Sequence, residues 1–216
     1  MHDRRRSAKR GTVKTPTKTI LILAAVLGAL MAAPAAHAAT VGASCGYTAL
    51  SQPFLPWDDS ADYVLPKSGT FEGGSSGWTF KNGAKLVSGG NTLRNSALKS
   101  VYLPVGSYVI SPSTCIETNF PYARMFATTT IPDAYASATL RVDVIYTDAT
   151  YNKTVTEPAG IVTQTSSWAP TPLLTLPSPE NIKPDRAGKL WVQYQFRPLY
   201  RSAWKIDDFY VDPKRR

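Results

Sequence analysis

Four residues at alternate positions, Trp191, Gln193, Gln195 and Arg197, have side chains suited to a ring that is apolar on its faces and polar around its rim. An indole stacks against C–H patches, while amides and a guanidinium reach hydroxyls, so the chemistry offered is sugar recognition. Arg141 and Asp143, also two apart, could extend the same row from a neighbouring strand. Asp143 beside Arg141 also admits two other readings: an ordinary ion pair on a solvated sheet, or one half of a catalytic carboxylate pair. A third cluster, Glu72 with the adjacent Asp207 and Asp208, has the hard oxygen donors that calcium prefers. Two adjacent carboxylates on one strand repel each other unless a cation or hydrogen bonds offset the charge.

Several chemistries are excluded by composition. The only histidines, His2 and His37, lie in the first 38 residues of the 216. Those residues read as an export signal: seven basic residues and one acid, an apolar run from Ile20 to Ala33, then the small-residue site Ala36-His37-Ala38. Cleavage after Ala38 leaves a chain without histidine, hence without a Ser/His/Asp or Cys/His apparatus or a histidine-based metal site. No phosphate cradle, nucleophile elbow or zinc spacing is present, and the expectation is a protein that is not an enzyme. The membrane is touched only through the signal, and the chain is expected to be secreted.

The formal charge of +9 belongs mostly to that signal, because the remainder carries +3. Without the terminal tail Lys214-Arg215-Arg216, basic and acidic residues balance, which argues against nucleic acid as a partner. The two cysteines, Cys45 and Cys115, are expected to form a disulfide, as an even pair in an exported protein usually does.

The elements that must position these residues are strands. After residue 38 no stretch carries apolar residues at helical spacing, whereas period-two alternation recurs. Leu140, Val142, Val144 and Tyr146 fall on one face with Arg141 and Asp143 on the other, and Val192, Tyr194 and Phe196 alternate with the Trp191 row. Further runs, among them Lys153–Thr156 and Ile161–Trp168, are separated by turns such as Asn82-Gly83. The pattern predicts an all-β, antiparallel two-sheet sandwich, a jelly roll of about ten strands. Residues 39–68, with three prolines, read as an extended arm tied down through Cys45. The stretch Pro170–Gly188, with five prolines, reads as a long surface loop.

Two segments carry a resemblance. Gly69-Thr70-Phe71-Glu72-Gly73-Gly74-Ser75-Ser76-Gly77-Trp78 is similar to the opening strand of galactose-binding-like jelly rolls found in many carbohydrate-binding modules. Trp204-Lys205-Ile206-Asp207-Asp208-Phe209-Tyr210-Val211 resembles their closing strand. Together they bracket a domain over 69–213. The resemblance implies a non-catalytic carbohydrate-binding protein whose partner is a polysaccharide or cell-wall glycan, with a structural calcium held by Glu72 and Asp207 or Asp208. Two other functions remain open from the residues: an envelope protein that contacts another protein through exposed aromatics, and a polysaccharide hydrolase or lyase.

Overall fold

The computed structural model describes residues 44–93, 97–117, 122–130, 138–163, 165–176 and 178–212. The expected export signal and the basic tail lie outside them. Among the described residues there are twelve strands and two short 3-10 turns.

The strands are β1 (Thr79–Lys81), β2 (Lys85–Ser88), β3 (Lys99–Leu103), β4 (Tyr108–Ile110), β5 (Thr114–Ile116), β6 (Tyr122–Thr129), β7 (Thr139–Thr147), β8 (Thr154–Thr163), β9 (Ala169–Pro170), β10 (Leu174–Thr175), β11 (Leu190–Leu199) and β12 (Trp204–Asp212). One sheet runs β1-β4-β11-β7-β8, with β5 also paired to β11. The other runs β10-β6-β12-β3-β2, with β9 paired to β6. All pairings are antiparallel. Each sheet therefore has one of the two C-terminal strands, β11 or β12, at its middle.

Alternation explains the layering. Leu140, Val142, Val144 and Tyr146 of β7 and Leu190, Val192, Tyr194 and Phe196 of β11 point into the sandwich. They meet Val101, Leu103, Ala123, Met125, Trp204, Ile206, Phe209 and Val211 of the facing sheet. Trp78 closes this core, with its ring 4.8 Å from that of Phe71 and its indole N–H donated to the Lys67 carbonyl.

The expected strand Lys153–Thr156 and the first three residues of Ile161–Trp168 merge into a single strand, β8, which runs through Pro158 and ends at Thr163. Proline lacks a ladder donor, and β8 tolerates it because it is the edge of its sheet, with a bulge opposite Val142 and Asp143 absorbing the irregularity. The stretch Pro170–Gly188 is more than a surface loop. It contains β10 and the turn Pro179–Asn181, and it buries Leu174, Leu176 and Ile182 in the main core.

The arm is anchored at several points. Cys45 and Cys115 form a disulfide, Val64 bridges to Val211, and Phe54 and Tyr63 pack with Phe126 and Tyr210 in a second apolar cluster outside the sandwich. Just past the arm, Gly69 lets the chain lie against β12: a Cβ there would stand 2.6 Å from the Phe209 carbonyl oxygen.

Candidate functional site

All six residues read from the sequence as a binding row lie on the outer face of the first sheet. Antiparallel register sets Arg197 opposite Arg141, Gln195 opposite Asp143, and Gln193 opposite Ile145. Trp191 continues the row at the far end, opposite Cys115 on the other flank. At the usual strand rise, Trp191 to Arg197 spans about 20 Å, enough for several sugar rings.

Asp143 organises one end. Its carboxylate is wholly buried (0% exposed) although it stands on the outer face, because two guanidiniums close over it. Arg141 Nε donates to one oxygen at 2.6 Å and an Arg197 terminal nitrogen to the other at 3.1 Å. The two arginine side chains remain 39% and 42% exposed. The carboxylate thus spends both oxygens on holding two guanidiniums, the role of a positioning ion pair. Beside it, Arg141, Pro158, Ala159, Gly160, Ile161 and Leu199 wall a shallow pocket of about 380 Å³.

Trp191 organises the other end and is 41% exposed. Its indole N–H donates to Asp185 Oδ2 at 2.8 Å, and the other oxygen of that carboxylate accepts the amides of Ala187 and Lys189. The indole hydrogen bond comes first among the contacts that hold the Asp185 carboxyl below its usual range. The tryptophan is therefore fixed at its edge while much of it stays open. It borders a second pocket, about 350 Å³, with Thr147, Asn152, Lys183, Pro184 and Asp185. Between the two ends, Gln193 Nε2 donates to the Ser111 carbonyl at 2.9 Å, which fixes its amide.

Sequence reading missed Asp185, Tyr108 and Lys81. Asp185 follows a proline and precedes Arg-Ala-Gly, a turn signal whose carboxylate caps its own loop. Tyr108 and Lys81 pair directly, two residues along from Ile110 and Thr79, which lie beside Gln195. The period of two accordingly puts both on the outer face.

The acidic cluster is assembled by a bulge in β12 between Asp207 and Tyr210. Asp208 there takes a left-handed φ of 50°, a conformation that aspartate tolerates better than most residues. Asp207 accepts the Asn91 amide at 2.8 Å and the Asp208 amide at 2.7 Å, and Asp208 accepts from the Asn91 side chain at 3.2 Å. A Cβ at Gly90 would lie 2.7 Å from backbone atoms of Ala97 and Lys99, so glycine lets this loop come so close. Glu72 Oε1 accepts the amides of Leu98 and Lys99 at 2.7 and 3.0 Å. Burial pushes the Asp207 carboxyl up to about 7 against the pull of the Asn91 amide, and the charges of Asp208 and Glu72 add to the rise. Among the described residues no three of His, Cys, Asp or Glu stand close enough to hold a metal by side chains alone. The donor set suits calcium in kind, and backbone carbonyls would have to complete the six to eight oxygens it needs.

No protein-family model matches the sequence, and no curated protein matches it. Solved structures do. The family-22 carbohydrate-binding and family-10 catalytic modules of Clostridium thermocellum endo-1,4-β-D-xylanase 10B, complexed with xylohexaose, match with a TM-score of 0.53 and 13% identity. That match covers 71% of this chain and 29% of the xylanase chain, so this chain spans less than a third of that protein. The family-22 xylan-binding domain of Paenibacillus barcinonensis Xyn10C matches at 0.46 and 14% identity, over 72% of this chain and 97% of that one. The family-6 module of a Zobellia galactanivorans laminarinase matches at 0.41 and 10%, over 64% and 94%. At such identities the likeness is one of fold. The chain shares the antiparallel two-sheet sandwich fold, and the likeness goes no further.

Proposed function

We propose that this protein is a secreted, non-catalytic binder of polysaccharide, and that it holds an extended glycan along the outer face of the first sheet. The observation that carries this reading is the single open row in which Trp191, Gln193, Gln195 and Arg197 stand in register with Asp143 and Arg141, with a pocket at each end. An indole for stacking, with amides and guanidiniums for hydroxyls, matches an amphipathic sugar chain. The neighbour in fold that was solved with xylohexaose supports the same class of ligand. Asp143, with both oxygens engaged by arginines, supports binding over hydrolysis.

The test is retention of the purified protein on a panel of soluble and insoluble polysaccharides, with Trp191→Ala in parallel. Retention on at least one glycan, lost in the variant while the fold persists, is expected. No retention on any glycan would remove the reading. It would favour contact with an envelope protein through the exposed Leu55, Trp57 and Leu93 around the arm.

Calcium belongs to the same proposal, with Glu72 and Asp207 or Asp208 as side-chain ligands and backbone carbonyls supplying the remaining oxygens. Millimolar calcium should raise the melting temperature and chelator should reverse the rise. An unchanged melting temperature in both would leave these carboxylates as hydrogen-bond acceptors for Asn91, Leu98 and Lys99.

A further inference from the structure

We infer that the glycan held on this face is a carboxylated one, a polysaccharide bearing uronic acid groups, read by Arg141 and Arg197 with Lys81. The inference rests on the proposed binding reading and names its ligand class.

A guanidinium has five N–H donors. Arg141 and Arg197 each spend one of theirs, both on Asp143. One carboxylate therefore holds two arginines side by side, with a surplus positive charge and most of their donors unspent. The Nε–H of Arg197 is buried and has no acceptor. A buried donor without a partner is uncommon and is satisfied once a ligand carboxylate draws the guanidinium a short way outward. Lys81, exposed on edge strand β1 beside Tyr108, adds a third cation to the same face.

Neutral glycans have no need of this arrangement, because amides and hydroxyls suffice to read hydroxyl groups. Paired guanidiniums suit a planar carboxylate, which they engage through two parallel hydrogen bonds. The pocket walled by Arg141, Pro158, Ala159, Gly160, Ile161 and Leu199 lies directly beside them, and its apolar wall would face the ring that carries the acid. Gln195, opposite Asp143, and Gln193 would then read hydroxyls further along the chain.

The experiment compares carboxylated polymers with neutral forms of the same backbone: polygalacturonate against its methyl ester, and glucuronoxylan against carboxyl-reduced xylan. Affinity electrophoresis or sedimentation gives the retention. At least tenfold stronger retention of an acidic form than of its neutral counterpart is expected, weakening as salt rises. Arg197→Gln should lower that retention about tenfold, and Arg197→Lys should recover only a fraction of it, since the charge returns without the fork. Lys81→Gln, an exposed change that cannot disturb the fold, should lower it a few-fold and leave the melting temperature unchanged. Equal retention of acidic and neutral forms would overturn the inference and leave the glycan-binding reading standing. Acidic retention unchanged in both the Arg197 and Lys81 variants would overturn it too, because the charge would then be read elsewhere. Retention of nothing would remove both readings.

Discussion

Two arginine–aspartate sites sit on opposite sides of the sandwich and serve opposite ends. Under the arm, Arg124 and Asp59 meet at 2.8 Å with side chains only 11% and 12% exposed. Arg124 also lies 4.6 Å over the Phe54 ring and donates from Nε to the Thr171 carbonyl. Asp59 accepts the Tyr63 hydroxyl and the Ala61 amide as well. On the open face, Asp143 is more deeply buried than Asp59, yet its arginines are half exposed and each has made one hydrogen bond to it. The same two residue types close a joint in one place and present unspent donors in the other. What differs is the cover: Phe54 and Tyr63 lie over the first site, and no described segment of the chain lies over the second. Polar satisfaction thus separates scaffold from surface where residue identity does not.

Removing the cover should have the largest effect. Phe54 is fully buried among Tyr63, Phe126 and Tyr210, so Phe54→Ala should cost about 3–5 kcal/mol. Calorimetry should show a melting point lower by roughly 10 °C, at 2–4 °C per kcal/mol for a domain of this size. Glycan retention should persist, because the arm cluster lies on the other sheet.

Next come the two arginines set against each other. Arg124→Ala should cost about 3 kcal/mol, because it leaves Asp59 half-buried and removes a stacking partner of Phe54. Arg197→Gln should cost about 1 kcal/mol, since Arg141 still covers Asp143 and the lost side chain is partly exposed. Equal destabilisation by denaturant titration would erase the distinction between closed and open site.

A smaller effect should appear in pH dependence. Burial alone would raise the Asp59 carboxyl, but the Tyr63 hydroxyl, the Arg124 guanidinium and the Ala61 amide outweigh it and hold it below its usual value. A carboxylate depressed in the folded state contributes stability that is present above its unfolded value and is lost as pH falls through the folded one. The wild type should therefore lose more stability than Asp59→Asn between about pH 5 and pH 2. Parallel curves would show that Asp59 does not carry the joint.

The smallest change in stability is expected at Trp191→Ala, within about 1 kcal/mol because the residue is exposed. Its effect on retention should nevertheless be among the largest. Asp185→Asn should loosen the loop and weaken retention only moderately, since it removes the anchor of the indole and leaves the indole in place.

How much of this is legible in the sequence follows from period and from edges. β7 and β11 alternate cleanly, so their inward and outward residues can be assigned before any coordinates. The sequence pattern breaks β8 at Glu157-Pro158-Ala159-Gly160, because a proline is acceptable in a strand only at a sheet edge, and edge position is a property of the assembled sheet. β5 and β9, of three and two residues, are too short to show any period. The six binding-row residues can be placed on one face from alternation alone. That Asp143 is buried by its own arginines depends on cross-strand register, and the role of Asp185 depends on a loop folding back on Trp191.

The strand order also governs when the chain can fold. β11 and β12 occupy the middle of the two sheets and are the last of the twelve strands to leave the ribosome. Until they emerge, β4 and β7 have no partner between them in one sheet, and β3 and β6 have none in the other. Four ladder edges then lie open to mispairing. Folding must wait for both strands and proceed through distant contacts, a regime of milliseconds to seconds rather than microseconds. A nascent chain stopped before Leu190 would have most of its strands and neither sheet.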